Sequence, residues 1–346
     1  GGRGVAPVRR FAAGSGVNKM ALIKQLRDES GAPISEVKAA LEAGEWDVEK
    51  AHVVLRKRGI AQAEKKKAKR TAAEGLVALA ATDDATRVAL VEVNCETDFV
   101  SRNEDFQGLL RTTAGAMLAA AAAGQQGSSA MAAEAILALG TPAGAAEGAA
   151  TVGDALTNVG LGVREKLEVR RGQVFQADAA RGVVASYLHM SPAPGVGSIG
   201  AVVGLELASE EELAGGLSDE QRAAMLEVGR KVAMHVAASN PLFLGEADIP
   251  ADVVAAEKEV LMNQPGVSEK PANIVEKMVA GRLKKFVKQV TLLDQPFVMD
   301  DSQSVKDFVA SHDGGSFAVS YFARFKVGEG IEKAGKSFAE EVAELQ

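Results

Sequence analysis

The sequence predicts an α+β protein, with a small N-terminal bundle of three helices and a larger core built on a repeated hairpin-plus-helix order. Three observations carry that expectation. Residues 20–59 place apolar side chains at helical spacing in three short segments separated by glycines. From Glu74 the pattern changes to apolar runs broken by turn residues, as strands require. The order hairpin, then long helix, occurs twice along the chain, which implies a duplicated core.

The first helix, MALIKQLRDES, sets Met20, Ile23 and Leu26 on one face and stops at Gly31. The second opens at Pro33, suited to a first-turn position, and repeats Ile34, Val37 and Leu41 before Gly44. The third starts at Asp47, a good N-cap, carries Val48, Ala51, Val54 and Leu55, and ends at Gly59. Three such helices can bury one small shared core, and bundles of this size usually bind rather than catalyse. A basic linker, residues 60–73, follows with AEKKKAKR at 63–70.

Residues 74–178 read as the first half of the core. EGLVALAA (74–81) and RVALVEV (87–93) flank the turn TDDAT (82–86) and form a hairpin. A helix begins near Asn103, with Glu104 and Asp105 in its first turn where the helix dipole favours acids. Residues 112–155 are rich in Ala and Gly and read as a low-complexity insertion, partly helical and poorly fixed. Strand-like REKLEVRRGQVFQ (164–176) closes this half. In the second half, 179–346, GVVASYLHM (182–190) and SIGAVVGLELA (198–208) form another hairpin, followed by a long helix at 221–239. Two helices at 251–263 and 272–291 make a protruding helical hairpin. A strand at 316–327 and a C-terminal helix, GEGIEKAGKSFAEEVAEL, complete the chain.

Composition excludes several classes. The 346 residues are 47% apolar but only 4% aromatic, so a sizeable aliphatic core is available. Residues 1–19 carry Arg3, Arg9, Arg10 and Lys19 and no acid, a net of +4, so with a formal −7 overall the rest of the chain carries −11. An acidic body argues against direct nucleic-acid binding, which needs a basic face. A single cysteine excludes an internal disulfide and any cysteine-cluster metal site. No apolar run approaches the ~20 residues needed to span a bilayer. The acid-free segment 1–19 reads as a partial transit peptide or a disordered tail.

Two glycine patterns match phosphate-binding signatures by letter. GVGSIG (195–200) fits a dinucleotide loop, but a strand rather than a helix N-terminus follows it, so it reads as a hairpin turn. GIEKAGKS (330–337) fits a phosphate loop, but no further parallel strand follows to supply a magnesium-associated acid. Cys95 has no histidine near it in sequence; pairing in space with His189 or His235 is the one remaining route to a nucleophile. His235 falls in series with Val228 and Val232 and reads as a core residue. The histidines at 52, 189, 235 and 312 are scattered, with no metal-binding spacing. No catalytic residue, metal or cofactor is expected.

NCETDFVSRNEDF (94–106) poses a sharper question, because Phe99 stands alone in a polar stretch. NCETDFV resembles the signature of elongation factor Ts, the family of exchange factors for the translational GTPase elongation factor Tu. MHVAASNPLF (234–243), KMVAGRLKKF (277–286), QPFVMD (295–300) and RFKVGEGIEK (324–333) resemble further segments of that family, in family order. Residues 20–59 look like its ubiquitin-associated-like bundle. The resemblance spans roughly residues 20–346 and implies a guanine-nucleotide exchange factor that promotes GDP release from factor Tu. It implies that Thr97, Asp98, Phe99 and Val100 contact the GTPase near its magnesium and phosphate loop, with Asp98 and Phe99 as the working pair. It also implies that GIEKAGKS is accidental, since the family binds no nucleotide there. The basic tail, absent from bacterial forms, points to an organelle, the mitochondrion first and the chloroplast second. Transient association with the ribosome is consistent with that role. A binding scaffold that has lost exchange activity is the alternative, and intact Asp98 and Phe99 argue against it.

Overall fold

The computed structural model describes residues 19–30, 34–51, 53–55, 71–121, 127–142, 149–208, 216–263, 272–312 and 315–331. The basic tail, the linker up to residue 70 and the segment beyond residue 331, where a C-terminal helix is expected, lie outside them. Lys19, read as the end of the tail, is the first residue of a helix.

The chain forms two compact units, divided at Arg70. In the first, α1 (Lys19–Ser30), α2 (Ile34–Ala43) and α3 (helical residues 48–51 and 53–55) share one small core. Leu26, Val37, Ala40, Leu41 and Ala51 are fully buried there. Met20 and Ile34, expected on that buried face, are exposed instead, since each stands in or beside the first turn of its helix. Asp47 caps α3 as its position suggests, its carboxylate accepting from the Lys50 amide at 3.0 Å.

The second unit is a stack of layers. Strand β1 (Glu74–Ala81) pairs antiparallel with β2 (Arg87–Cys95). The turn between them is tied by Asp84, whose carboxylate accepts from both the Thr82 and Thr86 hydroxyls. After β2 come α4 (Asp98–Ser101), α5 (Glu104–Ala120), β3 (Gly127–Met131), α6 (Ala133–Leu137), α7 (Val152–Val163) and β4 (Glu168–Gln176). Next, β5 (Gly182–His189) and β7 (Ile199–Leu207) form the second hairpin, and between them β6 (Val196–Gly197) pairs back onto β1. Helix α8 (Asp219–Ser239) follows, then α9 (Ala251–Met262), α10 (Ala272–Val290), β8 (Pro296–Phe297), β9 (Asp300–Ser304), α11 (Val305–Ala310) and β10 (Phe317–Lys326).

The first sheet has the order β3-β4-β2-β1-β6 and the second β10-β7-β5. They face each other across a shared apolar layer: Val77, Val88, Leu90 and Phe175 from the first meet Val184, Val202 and Phe325 from the second. Helices α5 and α7 cover the outer face of the first sheet, packing on Ala78, Ala89, Val91 and Val93. Helix α8 covers the outer face of the second through Met225, Val228, Val232 and Val236. The result is an α/β/β/α stack, which explains why β2 is buried on both faces rather than alternating. At Gly229 the helix lies so close that an added Cβ would meet Ala185 Cβ at 2.5 Å.

The stretch 112–155 departs from its reading as a poorly fixed insertion. Its first residues continue α5 and bury Thr113, Ala114, Ala116 and Met117. Residues 127–131 pair with β4 as an edge strand. Ile136 of α6 is fully buried, and a Cβ added at Gly172 would lie 2.6 Å from both Ile136 Cδ1 and Met117 Cε. These contacts fix the described parts of the stretch against the first sheet. Residues 122–126 and 143–148 fall outside the described residues. Helices α9 and α10 pack on one another, as the expected helical hairpin requires, and leave Val260, Met262 and Ile274 exposed.

Strand β4 carries a bulge opposite Glu92–Val93, so that Arg170 is the extra residue. Successive strand residues ordinarily point to opposite faces, but the bulge lets both Arg170 and Arg171 reach one carboxylate. Glu92, fully buried, accepts from Arg170 Nη1 at 2.9 Å, Arg171 Nε at 2.6 Å and the Gly328 amide at 2.8 Å. Gly328 sits at φ +69°, with the Ala73 carbonyl where a Cβ would be. The turn after β10 is thereby fastened to the middle of the first sheet.

Candidate functional site

The site grows out of the end of β2. Asn94 donates to the Glu74 carbonyl at 3.1 Å, and the buried Cys95 thiol donates to the Thr97 carbonyl at 3.1 Å. Burial, reinforced by the charges of Glu165 and Glu74, pushes the Cys95 thiol up to about 12. It therefore stays protonated and is no nucleophile.

The loop beyond Cys95 is clamped to the junction of α7 and β4. One Glu165 oxygen accepts from the Glu96 and Thr97 amides, each at 3.0 Å. Its other oxygen accepts from the Thr97 hydroxyl at 2.5 Å. In the opposite direction, the Lys166 amide donates to the Glu96 carboxylate at 2.6 Å. Arg164, the residue before Glu165, ends α7 in the left-handed region at φ 60°, which turns the chain sharply toward this loop.

Thr97 N-caps α4 in an extended conformation, without the usual side-chain cap because its hydroxyl is given to Glu165. The helix is a single turn. Its end is fixed by Asn103, whose side chain accepts from the Asp105 and Phe106 amides to start α5, and by Gln107, which donates to the Ser101 carbonyl. Adjacent helical residues diverge by about 100°. Val100 accordingly points into the core and is 8% exposed, whereas Phe99 is 80% exposed. Asp98 is exposed as well, and among the described residues its carboxylate pairs with Arg102 at 3.3 Å. The four residues singled out in sequence thus divide. Thr97 and Val100 anchor the turn inward, and Asp98 and Phe99 stand at the surface.

Sequence reasoning missed Glu165. It lies 68 residues beyond Thr97 and meets it only through the tertiary fold. The exposed α5–α7 face nearby carries an open groove of about 550 Å³ between Asp105, Leu109, Asn158 and Val159.

The remaining chemical candidates are occupied elsewhere. His235 is buried, with Nε2 at 2.8 Å from Gln295 Oε1 and Nδ1 accepting the Val298 amide at 3.1 Å. Burial holds its pKa below the ordinary range, against the opposing Gln295 bond. His189 lies 3.3 Å from the Tyr187 hydroxyl. In GVGSIG the residues after the loop form β7, not a helix, so the pattern is a strand connection. GIEKAGKS lies almost entirely outside the described residues. Among the described residues, no group of three or more His, Cys, Asp or Glu is placed to hold a metal ion, and no helix is long and apolar enough to cross a membrane.

Comparison with known proteins gives one consistent result. A family model described as "Elongation factor TS" matches residues 96–329. The chain is 42% identical over 330 residues to elongation factor Ts of Caulobacter vibrioides, covering 94% of this chain and 97% of that one. It is 42% identical over 349 residues to the protein named "Elongation factor Ts, mitochondrial" of Ostreococcus tauri, covering 96% and 94%. To the protein of that name from Arabidopsis thaliana it is 39% identical over 325 residues, covering 91% and 79%.

Proposed function

The chain belongs to the elongation factor Ts family, whose members are translation elongation factors, and from that premise we propose that it is the guanine-nucleotide exchange factor for elongation factor Tu. The observation that carries the proposal is Phe99, 80% exposed on a one-turn helix whose backbone is fixed at both ends. A large apolar ring held out on a rigid support suits insertion into a partner.

An exchange factor must bind the nucleotide-free GTPase more tightly than the loaded one, and nucleotide then weakens the factor equally. A thousandfold loosening requires about 4 kcal/mol of differential binding. Phe99 supplies part of this if its pocket exists only when side chains at the magnesium and phosphate site move apart. Asp98 accepts hydrogen bonds from partner amides and repels the returning phosphates. Thr97 and Val100 hold the turn against recoil. The protein makes and breaks no bonds of its own and needs no cofactor.

The helices at 19–55 serve as a ubiquitin-associated-like contact for the same partner. The core derives from duplication, since β1–β2 with α5 and β5–β7 with α8 repeat one order. The body is acidic and binds no nucleic acid directly; association with the ribosome is transient and through factor Tu. Relatives named mitochondrial and the basic, acid-free N-terminal segment support work in the mitochondrion.

Release of a fluorescent GDP from factor Tu, followed with and without this protein, tests the function. Acceleration at substoichiometric amounts is expected; an unchanged release rate would leave a scaffold. Import of a fluorescent fusion into mitochondria tests the compartment, and accumulation in chloroplasts would overturn that part.

A further inference from the structure

We infer that Glu165 is a positioning residue for exchange: its carboxylate locks the Glu96–Thr97 backbone so that Phe99 transmits force to the GTPase instead of yielding. The inference rests on the exchange reading above and deepens it.

The geometry is that of a clamp closed from both sides. Glu165 receives three hydrogen bonds from two consecutive residues, at 3.0, 3.0 and 2.5 Å. Glu96 returns one from the Lys166 amide at 2.6 Å. Both carboxylates are half-buried, where such bonds hold better than in open solvent. The residue locked most tightly, Thr97, is the N-cap of α4, and Phe99 lies two residues on. A one-turn helix has too few internal hydrogen bonds to stand alone. The orientation of Phe99 therefore depends on its two fixed ends. Asn103 and Gln107 fix the far end from within α5, and Glu165 fixes the near end from a different part of the fold.

A wedge does work on a partner only if its mount is stiffer than the site it opens. With the clamp removed, the loop can still dock, but Phe99 swings back instead of parting the partner's side chains. Loss of Glu165 should thus lower the maximal rate of nucleotide release much more than it raises the half-saturating concentration. A merely structural residue would change both through the folded fraction.

Two substitutions separate these cases. In Glu165→Gln the amide oxygen can keep the two backbone bonds, and its NH₂ can donate to the Thr97 hydroxyl, which rotates to accept. In Glu165→Ala all three donors lose their acceptor. Fluorescent-GDP release from factor Tu is measured over a range of concentrations of the full chain, with circular dichroism as the control for folding. Expected are a maximal rate at least tenfold lower for Glu165→Ala, a half-saturating concentration within about threefold, and near-complete recovery in Glu165→Gln. If Glu165→Ala fails to fold, Thr97→Val, which removes only the 2.5 Å hydroxyl bond, decides instead, with a several-fold lower maximal rate expected. A wild-type maximal rate in folded Glu165→Ala, or in Thr97→Val where it is needed, overturns the inference while leaving the exchange function standing. Equal losses in Glu165→Ala and Glu165→Gln overturn it too, because charge rather than positioning would then matter. No acceleration by the wild-type chain fails the exchange reading itself, and the inference falls with it.

Discussion

Replacing Phe99 by alanine separates presentation to a partner from packing at home. In the free protein the ring is 80% exposed, so its removal should change fold stability by no more than about 0.5 kcal/mol, as for other surface sites. For a unit of this size that is a shift of about 1–2 °C in the thermal midpoint. On the proposed wedge reading, the ring that is 80% exposed in the free protein becomes buried in the complex. Complete burial of a phenylalanine contributes roughly 1.5–3 kcal/mol, so the share at stake is about 1.2–2.4 kcal/mol. At about 1.4 kcal/mol per decade, nucleotide release promoted by Phe99→Ala should be roughly 7- to 50-fold slower at equal concentration. Stopped-flow release of fluorescent GDP reads the rate, and a thermal melt of the isolated variant reads the fold. Wild-type release by the variant would refute the wedge. A midpoint lowered by many degrees would refute it differently, by showing that the ring belongs to the protein's own core.

Other features give independent tests. Glu92→Ala removes the one acceptor shared by Arg170, Arg171 and Gly328, and breaking a buried pair of this kind costs about 3–5 kcal/mol. Both arginines keep some solvent access, 25% and 34%, so the low end, about 3 kcal/mol, is expected. That corresponds to a midpoint lowered by about 6–12 °C, and an unchanged melt would refute the assignment. His235, whose pKa burial holds below its ordinary 6.5, gives a pH signature. As pH falls, the unfolded chain takes up the proton first, so the stability it contributes is present above about pH 6.5 and lost below it. The drop in thermal midpoint between pH 7.5 and 5.5 should be smaller in His235→Gln than in wild type; equal drops would contradict the buried neutral ring. Cys95, with its thiol pushed up to about 12 and no solvent exposure, should resist iodoacetamide at pH 8 until guanidinium unfolds the chain, and rapid native labelling would show an open loop.

Both hairpins, the long helix α8 and the start of α5 were legible in sequence because each depends on local signals: turn residues at 82–86, helical apolar spacing, and Asn103 before two acids. The face-to-face stacking of the sheets was not. β2 reads as a strand, but nothing in RVALVEV says that Val88 and Leu90 meet a second sheet while Val91 and Val93 meet a helix. The Ala/Gly-rich stretch misled for a related reason, since its composition gives no sign that its few large residues, Met117 and Ile136, pack closely on Gly172 of β4. A local cue was present there: Thr151 and Asp154 form the capping box that starts α7. At the site, Phe99 was legible as an anomaly, an unaccompanied ring among polar neighbours. Glu165 was not, because one carboxylate among many carries no mark of the three donors that the fold brings to it.

The fastening of the turn after β10 to the first sheet also sets an order on synthesis. Glu92 reaches the exit of the ribosome long before Gly328, which follows 236 residues later. At about 5–20 residues per second, the wait is roughly 12–47 s. Arg170 and Arg171 arrive sooner, but the second sheet, which covers the inner face of β2, is incomplete until β10 has emerged. The nascent chain therefore carries an incompletely covered aliphatic sheet while residues 208–316 are made. A ribosome that stalls between β7 and β10 would leave one edge of β7 unpaired and the shared layer without Phe325, a ready substrate for chaperones and proteases.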